Sequence, residues 1–178
     1  MRKEKLKQKD LIIPFCEGEA EINVFNFLKI VYSNKKIRFG KPQDLEGIKD
    51  FAEFKRKYNK LSRANSLKPK KDYSHVNFLF IIDNDLDDSN KIKDFILEKG
   101  HLIQLCDPNT EGMILSIVGK KQICSTDKKT FRKKCKVNFE GHFNCEAHKL
   151  KDSKLREIFN NAQIVQTNLL VLHDLFIK

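Results

Sequence analysis

At 178 residues the chain has room for one domain with a full hydrophobic core and not for two comfortable ones. Lys and Arg total 35 against 24 Asp and Glu, a net charge of +11, which points to a polyanionic partner such as nucleic acid, although a chain also rich in Asn, Ile and Phe can owe part of its lysine to composition bias. The five cysteines, Cys16, Cys106, Cys124, Cys135 and Cys145, form no disulfide framework, and no apolar run approaches the roughly 20 residues of a membrane span, so reduced thiols in a cytoplasmic protein away from membranes are expected.

Residues 1–10 read as a basic N-terminal tail, too charged for a signal peptide and followed by too short an apolar stretch. Leu11 to Cys16 reads as a buried strand. Pro14 removes one ladder donor and suggests a sheet edge or a strand end. After Glu17-Gly18 the apolar positions Ala20, Val24, Phe27, Leu28 and Val31 fall at helical spacing, giving strand, tight turn, helix. Lys36 to Phe39 forms a second short strand, and Leu45, Ile48, Phe51, Ala52, Phe54 and Tyr58 make a second helical stripe. From Lys55 to Lys71 the chain carries Lys55, Arg56, Lys57, Lys60, Arg63, Lys68, Lys70 and Lys71. A charge run is usually a solvated face, but this one is dense enough to be a candidate nucleic-acid contact.

A third strand, Val76 to Ile82, runs five apolar residues from Phe78 straight into Asp83-Asn84-Asp85. Side chains two apart on a strand point the same way, so Asp83 and Asp85 are expected to leave its end together, where they need a cationic partner. Asp87 and Asp88 suit the start of the next helix, Lys91 to Lys99, which Gly100 ends. A calcium loop starting at Asp83 fails, because its sixth position is Asp88 and its twelfth Asp94. His101 to Cys106 is a fourth strand, and Thr110 to Val118 a short helix. Strands alternating with helices imply an α/β fold, a Rossmann-like parallel sheet of about four strands with helices on both faces over residues 11–118. In such sheets ligands gather at the carboxyl ends of the strands, where Glu17, Asp83 and Asp85 fall.

Residues 119–178 read as a less regular C-terminal extension packed on the same domain, with a short strand around Val137 to Phe139 and a final amphipathic helix from Ala162 to Phe176. Cys135, His142, Cys145 and His148, with Cys124 nearby, include a zinc-compatible Cys-x-x-His spacing. They lack a leading Cys-x-x-Cys pair, so structural Zn²⁺ is not the expected outcome. No nucleophile elbow and no Gly-rich phosphate loop is present, so neither a serine hydrolase nor an autonomous ATPase is expected.

Carboxylates converging from separate strand ends suit a hard cation such as Mg²⁺ or Mn²⁺. Cys16-Glu17-Gly18-Glu19 followed by Asp83-x-Asp85 resembles the TOPRIM domain of topoisomerases, primases and OLD-type nucleases. Closer still is a resemblance to the RloB-like family of bacterial defence-associated proteins, whose first motif reads roughly Cys-Glu-Gly-Glu-x-Thr-Glu. That family's later Asn-Pro-x-Phe-Glu-x-Trp motif resembles Asp107 to Met113. The resemblance covers about residues 11–118. It implies a TOPRIM-like fold and a metal-dependent phosphodiester site in phage defence, in which Glu17 is metal ligand or general acid/base, Asp83 and Asp85 bind metal and Glu111 completes the cluster. It also implies an ATPase partner, and with it the alternative of an inactive nucleic-acid-binding or effector-binding subunit. Here Glu21 stands for the family threonine and Ile22 for its glutamate, which makes Glu21 an additional candidate acid; Thr110 and Met113 replace bulky aromatics.

Overall fold

The computed structural model describes residues 9–31, 37–64, 73–120 and 127–160. Five strands, β1 (Lys9–Cys16), β2 (Ile37–Phe39), β3 (Gln43–Asp44), β4 (Tyr73–Asp83) and β5 (Leu102–Cys106), alternate with helices α1 (Glu19–Val31), α2 (Phe51–Ala64), α3 (Ser89–Glu98) and α4 (Thr110–Ile117). Helix α5 (Lys128–Phe143), a 3₁₀ turn (Ala147–Lys149) and α6 (Asp152–Asn160) follow. All the strand pairings are parallel, in the order β2-β1-β4-β5, with the two-residue β3 paired to the end of β1.

This is the expected α/β architecture, and β4 shows why its apolar run is unbroken. Val76, Phe78, Phe80 and Ile82 face one way and pack with Phe54 and Tyr58 of α2 and Ile92 and Ile96 of α3. Leu79 and Ile81 face the other way, toward Val24, Phe25 and Phe27 of α1 and Met113 to Ile117 of α4. A strand buried on both faces cannot alternate apolar with polar. The C-terminal segment joins the second layer, with Phe139, Ala147, Leu150 and Leu155 buried in the α1 and α4 side of the core.

Pro14 does not mark an edge, since β1 lies between β2 and β4. Its missing donor is tolerated for a local reason. Ile12 O accepts from Gly40 N and Cys16 O from Leu45 N, both at 2.8 Å. By alternation, the backbone groups of Pro14 point the same way, toward the β2 and β3 side. There β2 pairs only as far as Ile12 and β3 begins at Phe15, so the proline falls in the gap between them.

Two further expectations change. The second helix starts at Phe51 rather than at the beginning of its stripe, because Glu46 and Gly47 take positive φ (56° and 71°) and leave Leu45 and Ile48 buried from a turn. The strand expected at Val137–Phe139 is part of α5. Phe131, Cys135, Phe139 and Phe143 recur every fourth residue, a helical repeat, and Val137 is 63% exposed while Phe139 is fully buried. The helix expected over Ala162–Phe176 lies outside the described residues, as do Lys68, Lys70, Lys71 and Cys124. Among the described residues no helix is long and apolar enough to cross a membrane.

Candidate metal centre

In the sheet order β2-β1-β4-β5 the chain moves outward from β1 on one side and from β4 on the other, so the crevice at their carboxyl ends is the topological switch point. Glu17 follows β1 directly and Asp83 ends β4. The two strand ends are tied together: Glu17 N donates to Ile81 O at 3.0 Å, and Asp83 N donates to Glu17 Oε2 at 2.9 Å. Thr110, the first residue of α4, donates its backbone N–H to Asp83 Oδ1 at 2.9 Å, and its hydroxyl bridges Asp83 Oδ1 and Glu21 Oε1. Glu21 also accepts from Gly18 N at 2.8 Å. A cleft of ≈ 270 Å³ opens over these groups, lined by Glu17, Glu21, Asp83 and Glu111 with Gly47, Arg132, Lys136 and His148 among its walls.

Burial dominates the electrostatics of this cluster. It pushes Glu17 up from 4.5 to about 7, against the Asp83 N–H bond and Arg132, and with the help of the charges on Glu21 and Asp85. Asp83, 7% exposed, is raised well above the usual carboxylate range by burial and then by Glu21, Glu17, Asp85 and Glu111. Burial likewise raises Glu21, against the hydroxyl bond from Thr110. Behind the acids, burial and the neighbouring carboxylates push the Cys16 and Cys106 thiols up. Those two are packing residues rather than nucleophiles, since a reactive cysteine needs its thiolate.

The two aspartates do not act as the symmetric pair that strand alternation suggests. β4 ends at Asp83, and Asp85 lies in the turn beyond. Asp83 is bonded to Thr110, whereas Asp85, its side chain 4% exposed, forms an ion pair with Arg132 Nε at 2.9 Å. Glu111 lies in the first turn of α4 with Lys136 Nζ 3.9 Å away. Glu21 joins the cluster fully. Asp88 lies apart, its carboxylate accepting from Phe51 N and pairing with Lys91.

Sequence reasoning missed Thr110, Arg132 and Lys136. Thr110 was legible only as a missing aromatic. Arg132 and Lys136 are one helical turn apart beside the buried stripe of α5, a signal that reading the segment as a helix would have exposed.

The described part of the lysine-rich segment, Lys55 to Arg63, lies on α2 and does not line the cleft. Helix α2 packs on the face of the sheet opposite α1, α4 and the buried side of α5. Lys55 lies over the Phe51 ring at 4.6 Å and Arg56 approaches Glu53 at 3.7 Å. Lys57 donates to Leu45 O at 2.5 Å, to Glu46 O at 3.2 Å and to Gly47 O, and pairs with Glu53. It holds the left-handed 46–47 turn, whose Gly47 N donates to Glu17 O at 2.8 Å. Lys57→Met strands those carbonyls and should cost about 1–3 kcal/mol in urea denaturation; an unchanged midpoint would show that water satisfies them. Lys60 and Arg63 lie on the same helix.

Gly112 is required by contact. A Cβ there would stand 2.5 Å from Pro108 Cδ and 3.2 Å from both Asn109 Oδ1 and Asp107 O, in the turn where buried Asn109 caps α4 through Gly112 N. Gly112→Ala should destabilise the protein by about 1–3 kcal/mol through overpacking, and by moving Thr110 should weaken the hold on Asp83. Thermal denaturation tests the destabilisation.

The donors of the cluster are all carboxylate oxygens, and buried acids held back from ionising are a site short of positive charge, which fits a hard divalent cation. A cation held there would draw on Glu17, Asp83 and Glu111, which line the cleft without standing close enough together to form a ready site. No closed cage is formed: among the described residues no three His, Cys, Asp or Glu side chains stand together as a ready metal site. Cys135, His142, Cys145 and His148 form no such group either. Compared with protein-family models, curated proteins and solved structures, the chain matches none significantly.

Proposed function

We propose that this chain is a TOPRIM-like, Mg²⁺- or Mn²⁺-dependent enzyme acting on nucleic-acid phosphodiester bonds. One observation carries the reading. Carboxylates from the ends of the two central strands and from the first turn of α4, Glu17, Asp83 and Glu111, line a single cleft at the switch point of a parallel sheet. A bound divalent ion would polarise the phosphate and lower the pKa of its water. The metal-free pKa of Glu17, about 7, suits proton transfer near neutral pH only in place of metal ligation, since a bound cation holds a ligating carboxylate ionised. Thr110 orients Asp83 and Glu21. The motif resemblance extends the proposal to bacterial phage defence beside an ATPase partner. The test is incubation of purified protein with labelled DNA and RNA in Mn²⁺, Mg²⁺ or EDTA. Metal-dependent cleavage is expected, and no turnover with either metal would overturn the reading.

A second reading has its own support. The Arg132–Asp85 pair at 2.9 Å and Lys136 near Glu111 supply positive charge from within the chain. That suits a non-catalytic nucleic-acid-binding or effector-binding subunit. Salt-sensitive nucleic-acid binding that persists in EDTA without turnover would favour it.

A further inference from the structure

Helix α5 carries six Lys or Arg residues and one acid. Lys129, Arg132, Lys133 and Lys136 fall at i, i+3, i+4 and i+7, so they form one stripe along the helix. The stripe borders the buried residues Cys135 and Phe139, which fix the rotation of the helix against the core. Lys129 and Lys133 are exposed. The side chains of Arg132 and Lys136 are both 44% exposed and both line the acidic cleft.

A run of surface lysines is ordinarily a solvated face. This one differs because two of its four members line the cleft, Lys136 with its Nζ 3.9 Å from Glu111 and Arg132 paired with Asp85 in the turn beyond β4, so the stripe runs from solvent to the cleft. The cleft therefore has an acidic floor at the strand ends and a basic wall on α5. The basic residues of α2 have no such connection, since that helix packs on the other face of the sheet and Lys57 is committed to the 45–47 carbonyls.

We propose that the Lys129, Arg132, Lys133 and Lys136 stripe of α5 is the track that binds a nucleic-acid backbone and leads it into the cleft. Lys136 and the remaining N–H groups of Arg132 meet the phosphate nearest the acids while Arg132 Nε keeps Asp85, and Lys129 and Lys133 hold neighbouring phosphates. The stripe spans about 10 Å of helix rise, and the reach of its four long side chains extends it over neighbouring phosphates of one strand. The proposal rests on the nucleic-acid reading above for its partner and not on catalysis.

The test is fluorescence anisotropy in EDTA with a labelled single-stranded DNA and an RNA of the same sequence, over a salt series. Lys129→Ala/Lys133→Ala should bind about tenfold more weakly, and the slope of log K against log salt should shrink by about 1.5, since every phosphate that the protein neutralises accounts for about 0.7–0.9 of that slope. Lys129→Arg/Lys133→Arg should bind as the wild type does, and thermal midpoints of all variants should match, both residues being exposed. A loss confined to the DNA or to the RNA arm names the substrate. Wild-type binding by the alanine pair, an equal loss in Lys60→Ala/Arg63→Ala on α2, or no binding by the wild-type protein would overturn the proposal. Binding that depends on α5 without cleavage under any metal supports the track and removes only the catalytic reading.

Discussion

Asp83→Asn and Glu17→Gln are each expected to lower metal-dependent cleavage about 10³-fold while leaving the fold intact. A metal contributes several kcal/mol of transition-state stabilisation, and each 1.36 kcal/mol is tenfold in rate, so loss of a ligand that holds it has an effect of that order. The geometry permits the substitutions. Asn at 83 still accepts from Thr110, and Gln at 17 still accepts from Asp83 N. The thermal midpoint in EDTA should hold or rise, because a buried carboxylate that repels Glu21, Glu17 and Asp85 has been made neutral. Asp85→Asn should behave differently, since Asp85 is already compensated by Arg132 and its loss gives no such relief. Turnover that survives both substitutions at 17 and 83 would remove the site from the reaction. A collapse of the midpoint would instead make these acids structural.

The second large effect is on stability against pH in metal-free protein. Glu17 ionises near 4.5 in the unfolded chain and at about 7 in the folded one. Between those values the folded protein keeps a proton that the unfolded chain has released. The derivative of unfolding free energy with pH is therefore negative, and stability falls as pH rises through that window. The loss from Glu17 alone is about 3 kcal/mol, complete above pH ~7. Asp83 and Glu21, raised by burial as well, add in the same direction. Urea denaturation in EDTA at stepped pH measures it. Glu17→Gln should flatten the curve, and saturating Mg²⁺ should do the same to the wild type by supplying the charge that the proton otherwise offsets. A wild-type curve that stays flat or rises from pH 4.5 to 7 would show that these carboxylates are better solvated than their burial implies.

Much of the fold was legible because its signals are local. The double-sided apolar run of β4, the change of period from β1 to α1 and the alternation of strands with helices each follow from a few neighbouring residues. The strand-end placement of Glu17 and Asp83 was legible for the same reason, since it is read from where an apolar run stops. Helix α5 was equally present in the four-residue spacing of Phe131, Cys135, Phe139 and Phe143, but Val137 and Phe139 taken alone imitate a strand.

What the chain could not reveal by itself is who meets whom. Proline tolerance at position 14 depends on two strands that stop and start on either side of it. Lys57 and its neighbours on α2 look alike in sequence, yet Lys57 is drawn to three carbonyls by a left-handed turn twelve to ten residues upstream. Thr110 reaches Asp83 across 27 positions and Glu21 across 89, and Arg132 reaches Asp85 from a helix beyond the motif-bearing region. Sequence alone thus determined the α/β class and the acids at the strand ends, because hydrophobic period and the end of an apolar run are local properties. Only the tertiary structure decided that Asp83 and Asp85 have different partners and that the cations of the cleft come from α5. Burial and Coulomb interactions act through space, between residues that the chain holds far apart.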